Sequence, residues 1–144
     1  MATESKNTRI IIISSISLVA VIGIVILVIY LRKWILANKE NSTLESEIKK
    51  KNLTLTQSEY DSSANSMWAA VADGITEDTD SMLHIISLMK TADDWKALKL
   101  AFNQKYGNTS SFWNKGDLPY WITKKTPEII PQINTMLNQF GESI

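Results

Sequence analysis

The most conspicuous pattern in the chain is a long interval without charge. Between Arg9 and Arg32 no ionisable group interrupts the sequence apart from the phenol of Tyr30, and the 22 residues from Ile10 to Leu31 are dominated by Ile, Val and Leu. As a helix this run is roughly 33 Å long, enough to cross a bilayer core of about 30 Å. Tyr30 and Trp34 stand near its C-terminal end, where amphipathic aromatics favour the membrane interface, and Arg9, Arg32 and Lys33 can extend their charged heads to the headgroups. A cleaved signal peptide is the competing reading. The apolar run is too long for that, and Tyr30-Leu31-Arg32-Lys33-Trp34 follows it instead of a small-residue cleavage site. The expected organisation is a tail at 1–9, a transmembrane helix at 10–31, a helical stalk at 32–60 and a helical domain at 61–144.

Basic residues flank the run almost evenly. Lys6 and Arg9 precede it, and Arg32, Lys33 and Lys39 follow, so the positive-inside rule selects no orientation. Ser14, Ser15 and Ser17 could bond a partner helix or their own backbone, and no GxxxG occurs. In the stalk, Trp34, Ala37, Asn41, Leu44, Ile48, Lys51 and Leu55 recur at alternating three- and four-residue steps. That spacing fits a short coiled coil, and hence a homo-oligomer formed through the stalk or the membrane helix. It fits a solvated spacer better, because Lys51 falls in a core slot and the run is short. Lys49-Lys50-Lys51 reads as a solvated face.

Beyond Asp61 the chain is punctuated as a series of helices. Ser62 and Ser63 precede a stripe of Ala64, Met67, Trp68 and Val71, which Asp73-Gly74 ends. Thr76 or Thr79 can cap the next helix, with Glu77, Asp78 and Asp80 at its positive end. That helix carries Met82, Leu83, Ile85, Ile86 and Met89 and is expected to be the most buried element. Thr91 to Asp94 reads as a capping box that opens a helix with Trp95, Leu98, Ala101, Phe102 and Tyr106, stopped at Gly107. Asp117 can cap a short helix with Pro119 in its first turn. Thr126-Pro127 opens a last helix with Ile129, Ile130, Ile133, Met136, Leu137 and Phe140, which Gly141 ends. No stretch alternates with period two, so the fold class is all-α, with a core expected to gather Trp68, Ile86, Trp95, Phe102, Ile133 and Leu137.

Composition narrows the chemistry. Fifteen basic and fifteen acidic residues give zero net charge, and no arginine follows Arg32, which argues against nucleic acid as a partner. With no cysteine, thiolate metal sites and disulfides are excluded. His84 is the single histidine, expected as a core or boundary residue, and Asp93-Asp94 read as a capping pair. No phosphate loop and no catalytic constellation is present, so the chain is expected to be non-enzymatic and to need no cofactor. The acidic cluster Asp73, Glu77, Asp78 and Asp80 is a fallback metal site whose ordinary reading is helix capping. Phe112 and Trp113, beside Lys115 in a polar loop, form the candidate partner interface, with an equal alternative as a lid on a small core.

From Ser62 to Gly141 the order of parts resembles one annexin repeat. Met67-Trp68-Ala69-Ala70-Val71-Ala72-Asp73-Gly74-Ile75-Thr76-Glu77-Asp78 is similar to the end of the family's first helix and its following loop. Met82 to Met89 then corresponds to the second helix, Trp95 to Gly107 to the third, the helix led by Asp117-Leu118 to the fourth, and Pro127 to Phe140 to the fifth. A single repeat behind a membrane helix resembles small proteins of Bacteroidota and their phages. The resemblance implies a five-helix, membrane-tethered interaction or structural module acting on an unknown protein partner beside the lipid bilayer. The other function it admits is a phage virion component whose apolar helix enters the host envelope. The family's calcium site departs here. Ile75 replaces the second glycine of the loop, and Lys124 and Lys125 stand where the completing carboxylate is expected.

Overall fold

The structure, a computed structural model, describes residues 4–72, 78–107 and 116–144. Among them are six α-helices and no strand: α1 (Glu4–Glu47), α2 (Gln57–Ala72), α3 (Thr79–Leu88), α4 (Ala92–Phe102), α5 (Leu118–Lys125) and α6 (Ile130–Leu137). The chain divides into two units, Met1–Leu36 and Ala37–Ile144.

In the first unit, α1 has no polar face over its described side chains. Its large apolar residues from Val21 to Leu36 are 46–66% exposed. A helix that is apolar all round has nothing to offer water. Within Val21–Glu47 of α1, an 18-residue window reaches a mean hydropathy of 1.9 with none of that window buried, so this helix near the N-terminus is long and apolar enough to cross a membrane.

The expected stalk needs correction. Helix α1 is unbroken past Leu31, and the second unit begins at Ala37, well ahead of the expected start at Asp61. Leu44 is buried, and Ile48, Leu53 and Leu55 pack against the core. Of the stripe that suggested a coiled-coil seam, Leu44, Ile48 and Leu55 are therefore covered by the chain's own domain, while Trp34 and Lys51 are exposed. Lys50–Asn52 form one 3₁₀ turn, and α2 starts at Gln57. The local cause of that start is a capping box. The Thr56 backbone N–H and hydroxyl donate to Glu59 Oε2 at 2.6 and 2.8 Å, and the Glu59 N–H returns to Thr56 Oγ1 at 3.4 Å.

The core forms around α4. Asp93, Asp94, Trp95, Ala97, Leu98, Ala101 and Phe102 are all buried, because α2 and α5 and the 3₁₀ turn at 50–52 pack on this one short helix. Helix α3, expected to be the most buried, leaves His84, Ser87 and Leu88 exposed and buries Met82, Ile85 and Ile86. Trp95, Ile86, Phe102, Ile133 and Leu137 converge in one cluster as expected, with Trp68 partly buried against it. The capping box at the start of α4 is present as read from Thr91 and Asp94.

Asp94 does more than cap. It is fully buried, and its carboxylate accepts from four residues. At Oδ1 the donors are the Thr54 N–H at 2.8 Å and the Tyr60 hydroxyl. At Oδ2 they are the Thr54 hydroxyl at 2.7 Å, the Lys90 N–H at 2.9 Å and the Thr91 N–H at 3.0 Å. Beside it, Asn52 Nδ2 donates to Asp93 Oδ2 at 2.6 Å. Burial alone would push the Asp94 carboxyl up, but the bonds from Tyr60, Thr54 and Lys90 outweigh it and hold the group below its ordinary value. The Tyr60 phenol is pushed well above its usual value, first by burial and then by its bond to Asp94.

The later helices depart from expectation in detail. Past Phe102 the α4 backbone loosens into a π turn, Asn103–Gly107, so Gly107 ends the turn and not the α-helix. The last expected helix opens with a 3₁₀ turn at Pro127–Ile129 and closes with another at Asn138–Phe140. Thr126 occupies the N-cap position before Pro127, as expected, but makes no side-chain cap bond. It is buried, and its hydroxyl donates back to Ile122 O at 3.1 Å. Gly141 does stop the chain's last turn, at φ +79°, a left-handed conformation that suits glycine. On the exposed edge of α4, Lys96 pairs with Glu47 at 2.9 Å and lies 3.9 Å from Glu142, and Lys99 lies 3.8 Å from Glu142. The beginning and the end of the unit thus meet on one helix.

Two stability outcomes follow from this core. Trp95→Ala is expected to cost about 3–5 kcal/mol, close to the whole stability of a small domain, and a denaturant melt of the full-length protein in detergent measures it. Asp94 carries a depressed pKa in the folded state, so its contribution is present above the unfolded value near 3.9 and is lost as pH falls through the folded value. Melting temperature is therefore expected to drop below about pH 4 in the wild type and to drop less in Asp94→Asn. At neutral pH that variant, whose NH₂ would face donors, is expected to be less stable by about 2–3 kcal/mol.

Candidate functional site

The residues singled out by sequence fall into three places. The anchor residues lie along α1. Arg9 and Lys33 are within the helix, and Tyr30, Arg32 and Trp34 are exposed on it. With Leu31, Ile35 and Leu36 they place aromatic, cationic and aliphatic side chains within two turns, the mixture that suits a membrane–water boundary.

Of the acidic cluster, Asp73 and Glu77 lie outside the described residues. Asp78, and not Thr79, is the N-cap of α3, and Thr76 lies outside the described residues. Asp78 accepts from the Ser81 N–H at 3.0 Å and the Ser81 hydroxyl at 2.5 Å, and these bonds hold its carboxyl below the ordinary range. Asp80 sits exposed in the first turn, where the helix dipole favours an anion. Among the described residues, no three of His, Asp and Glu assemble as a set able to hold a metal ion. His84, expected in the core or at its boundary, is exposed on α3.

The loop pair Phe112 and Trp113, with Lys115, also lies outside the described residues. The described part of the domain carries an aromatic group that sequence reasoning did not assemble. Trp68 of α2 stacks on Tyr106 of the π turn, with ring centroids 4.8 Å apart and 6° between planes. Trp68 also meets Trp121 of α5 edge-on at 5.5 Å and Phe102 at 6.1 Å. Tyr120 lies edge-on to Trp121 at 5.8 Å and is 44% exposed. Two ammonium groups cover these rings. Lys105 Nζ is 5.7 Å from the Tyr106 centroid, and Lys124 Nζ is 5.4 and 5.5 Å from those of Tyr120 and Trp121.

The group is fixed from below. Tyr106 Oη donates to Asn65 Oδ1 at 2.7 Å, and Lys105 bonds the same oxygen. A Cβ on Gly116 would fall 1.9 Å from Tyr120 Cδ1, so only glycine there lets the Tyr120 ring lie down beside the chain. Asp117 caps α5 by accepting the Tyr120 N–H at 2.8 Å, as its place before Leu118 and Pro119 led one to expect. The sequence signals for this face are the four-residue steps Phe102–Tyr106 and Tyr120–Lys124, each putting two side chains on one helical edge. The long-range partner Trp68 has no such local signature.

What the face can do is bind. It offers flat apolar rings, an exposed phenol and two exposed cations, a composition enriched at protein interfaces. Neither lysine makes an ion pair among the described residues. A shallow groove of about 270 Å³ lies between α3 and α6, lined by Ile86, Met89, Lys90, Met136 and Phe140 among others, and its Lys90 ammonium is committed to Ser87 O at 2.7 Å. No protein-family model, no curated protein and no solved structure matches this chain.

The acidic start of α3 bears directly on calcium. Both Asp78 oxygens are committed to Ser81, and Lys124 projects a cation onto the aromatic face. Calorimetric titration of the full-length protein in detergent is expected to show no saturable Ca²⁺ binding at submillimolar ion, since such a site needs six to eight free oxygens.

Proposed function

We propose that this protein is a single-pass membrane protein whose lipid-anchored helix holds a small, non-catalytic helical module for interaction with another protein. The observation that carries the reading is the state of α1 between Val21 and Leu36. Thirteen bulky apolar or aromatic side chains there are exposed, and none of that stretch is buried. At about 25 cal/mol per Å² of apolar surface, leaving such a helix in water is far costlier than placing it in hydrocarbon. The tyrosine, arginine and tryptophan at 30, 32 and 34 suit the boundary at which it leaves the bilayer.

The module's role is read from its surface. The Trp68–Tyr106–Tyr120–Trp121 face with Lys105 and Lys124 is rigid and carries cations free of carboxylate partners among the described residues, features that favour a protein partner with an acidic segment. The annexin-repeat plan belongs to the same proposal. In its favour are the succession of five helices α2–α6, the capping box at Thr91 and the Gly141 stop. As drawn, that plan leaves out residues 37–60, which the compact unit includes.

The anchor is tested by fractionation. Full-length protein is expected to stay in the membrane pellet through alkaline carbonate extraction. Replacing Val25 and Val28 by Lys is expected to release it, because a charge at the centre of a span costs about 2.5–3.5 kcal/mol. Wild-type protein in the carbonate supernatant would remove the basis for a membrane-crossing helix.

A further inference from the structure

The last turns of α1 rest on their own domain through few contacts. Leu44 is buried, Glu47 pairs with Lys96 at 2.9 Å, and Glu40 Oε1 accepts a hydrogen bond from Asn103 Nδ2 at 3.3 Å. The third of these differs in what it leads to. Lys96 lies within α4, whereas Asn103 caps the end of α4 and is the first residue of the π turn at Asn103–Gly107. That turn carries Lys105 and Tyr106 onto the aromatic face. A Cβ on Gly107 would fall 3.3 Å from Asn103 Cβ, so the turn closes directly over the Asn103 side chain.

The other end of the same amide serves α5. Asn103 is 4% exposed, and its Oδ1 accepts the Leu118 N–H at 3.3 Å. The first N–H groups of a helix have no partner within it. In α5, Pro119 has none to satisfy, Asp117 takes that of Tyr120 at 2.8 Å, and that of Leu118 goes to Asn103. A helix of eight residues is too short to hold itself, so the seating of Tyr120, Trp121 and Lys124 depends on such bonds. The side-chain amide presents its donor and its acceptor from one rigid plane. While Glu40 holds Nδ2, Oδ1 is fixed toward Leu118. Once Glu40 lets go, the amide can turn and the bond to Leu118 weakens.

We propose that Asn103 is a joint that couples the end of α1 to the aromatic face. What the face is for rests on the function proposed above; the joint makes its readiness and the seating of α1 one equilibrium. In the closed state Asn103 bonds both Glu40 and Leu118. In the open state the end of α1 is released and the start of α5 is loosened. A partner that binds the closed face better than the open one draws α1 into its seat, and by the same linkage a released α1 weakens binding.

Hydrogen exchange read by mass spectrometry on the full-length protein in nanodiscs tests the joint with no partner present, so its failure and that of the binding reading are separate results. Glu40→Ala removes the acceptor. Amides of residues 37–47, and with them those of residues 103–107 and 118–125, are expected to exchange about threefold faster or more, while those of residues 130–137 in α6 keep the wild-type rate. Glu40→Gln keeps a carbonyl acceptor and is expected to match the wild type in all four segments. Asn103→Asp loses the donor to Glu40 but can accept the Leu118 N–H through either oxygen. It is expected to free residues 37–47 and leave residues 118–125 protected, which uncouples the two. Wild-type exchange at 118–125 in Glu40→Ala would overturn the proposal. So would an equal loss at 130–137 in that variant, which marks general destabilisation, or a loss at 118–125 in Glu40→Gln as large as in Glu40→Ala.

Discussion

One buried carboxylate determines how the second unit is assembled. Asp94 sits at the start of α4, where its own helix supplies the Lys90 and Thr91 N–H donors. The other donors come from Thr54, in the connection before α2, and Tyr60, in the first turn of α2. A charge taken out of water must be fully solvated by the protein or it is not tolerated. Asp94 therefore requires that residues 52–60 lie across the N-terminus of α4, and the rest of the packing follows. Tyr60 is held inside, α2 is aimed along α4, and Leu53 and Leu55 are carried onto the core. Its donors are neutral, so the joint depends on geometry and the α4 dipole more than on an opposite charge. The Lys96–Glu47–Glu142 cluster on the far edge of the same helix is of the contrary kind, partly exposed and open to screening by salt.

The constraint explains a core built on such a short helix. The five short helices α2–α6 cannot each bury a wide face, so one of them has to be surrounded. Helix α4 takes that place because its start is pinned by Asp94 and its end by Asn103, whose side chain bonds both Glu40 and Leu118. Between these polar pins the apolar residues Trp95, Leu98, Ala101 and Phe102 repeat at helical spacing and are all buried. The indole N–H groups of Trp95 and Trp121 have no acceptor among the described residues, a cost of about 1–3 kcal/mol each that this packing tolerates.

How much of this was legible in the sequence follows from the range of each interaction. Local signals read correctly: the Thr91–Asp94 box, the Asp117 cap and the Gly141 stop all act within a few residues, and the uncharged run is helical as expected. The Thr56–Glu59 box was equally local and equally legible, and reading it would have moved the start of α2 to Gln57. The stalk was misread because a stripe of Leu44, Ile48 and Leu55 shows only that something covers it. Whether a second chain or the same chain does so depends on contacts forty residues away, such as Thr54 with Asp94. Asp93-Asp94 were rightly placed at a helix start, but the burial that turns Asp94 from a cap into a hub has no signature in one segment. Of the candidate site, the lysines and aromatics were visible singly. Their assembly on one face depended on Trp68 meeting the rings of Phe102, Tyr106 and Trp121, all more than thirty residues further along the chain.

The two units place opposite demands on the same helix. From Val21 to Leu36, α1 carries exposed apolar side chains. From Ala37 onward its sequence turns polar, Asn38, Lys39, Glu40, Asn41, Ser42 and Thr43, and among the described side chains up to Glu47 Leu44 alone is buried. Intrinsic helix propensity in this polar stretch is middling, so an isolated spacer of such composition would fray. It is helical here because Leu44, Glu40 and Glu47 give it three points of attachment within two turns. A segment fixed so sparingly is ordered by its contacts and not by its composition. The order of this region is thus a property of the folded domain, and changes at Asn103 or Lys96 act on α1 without touching its sequence.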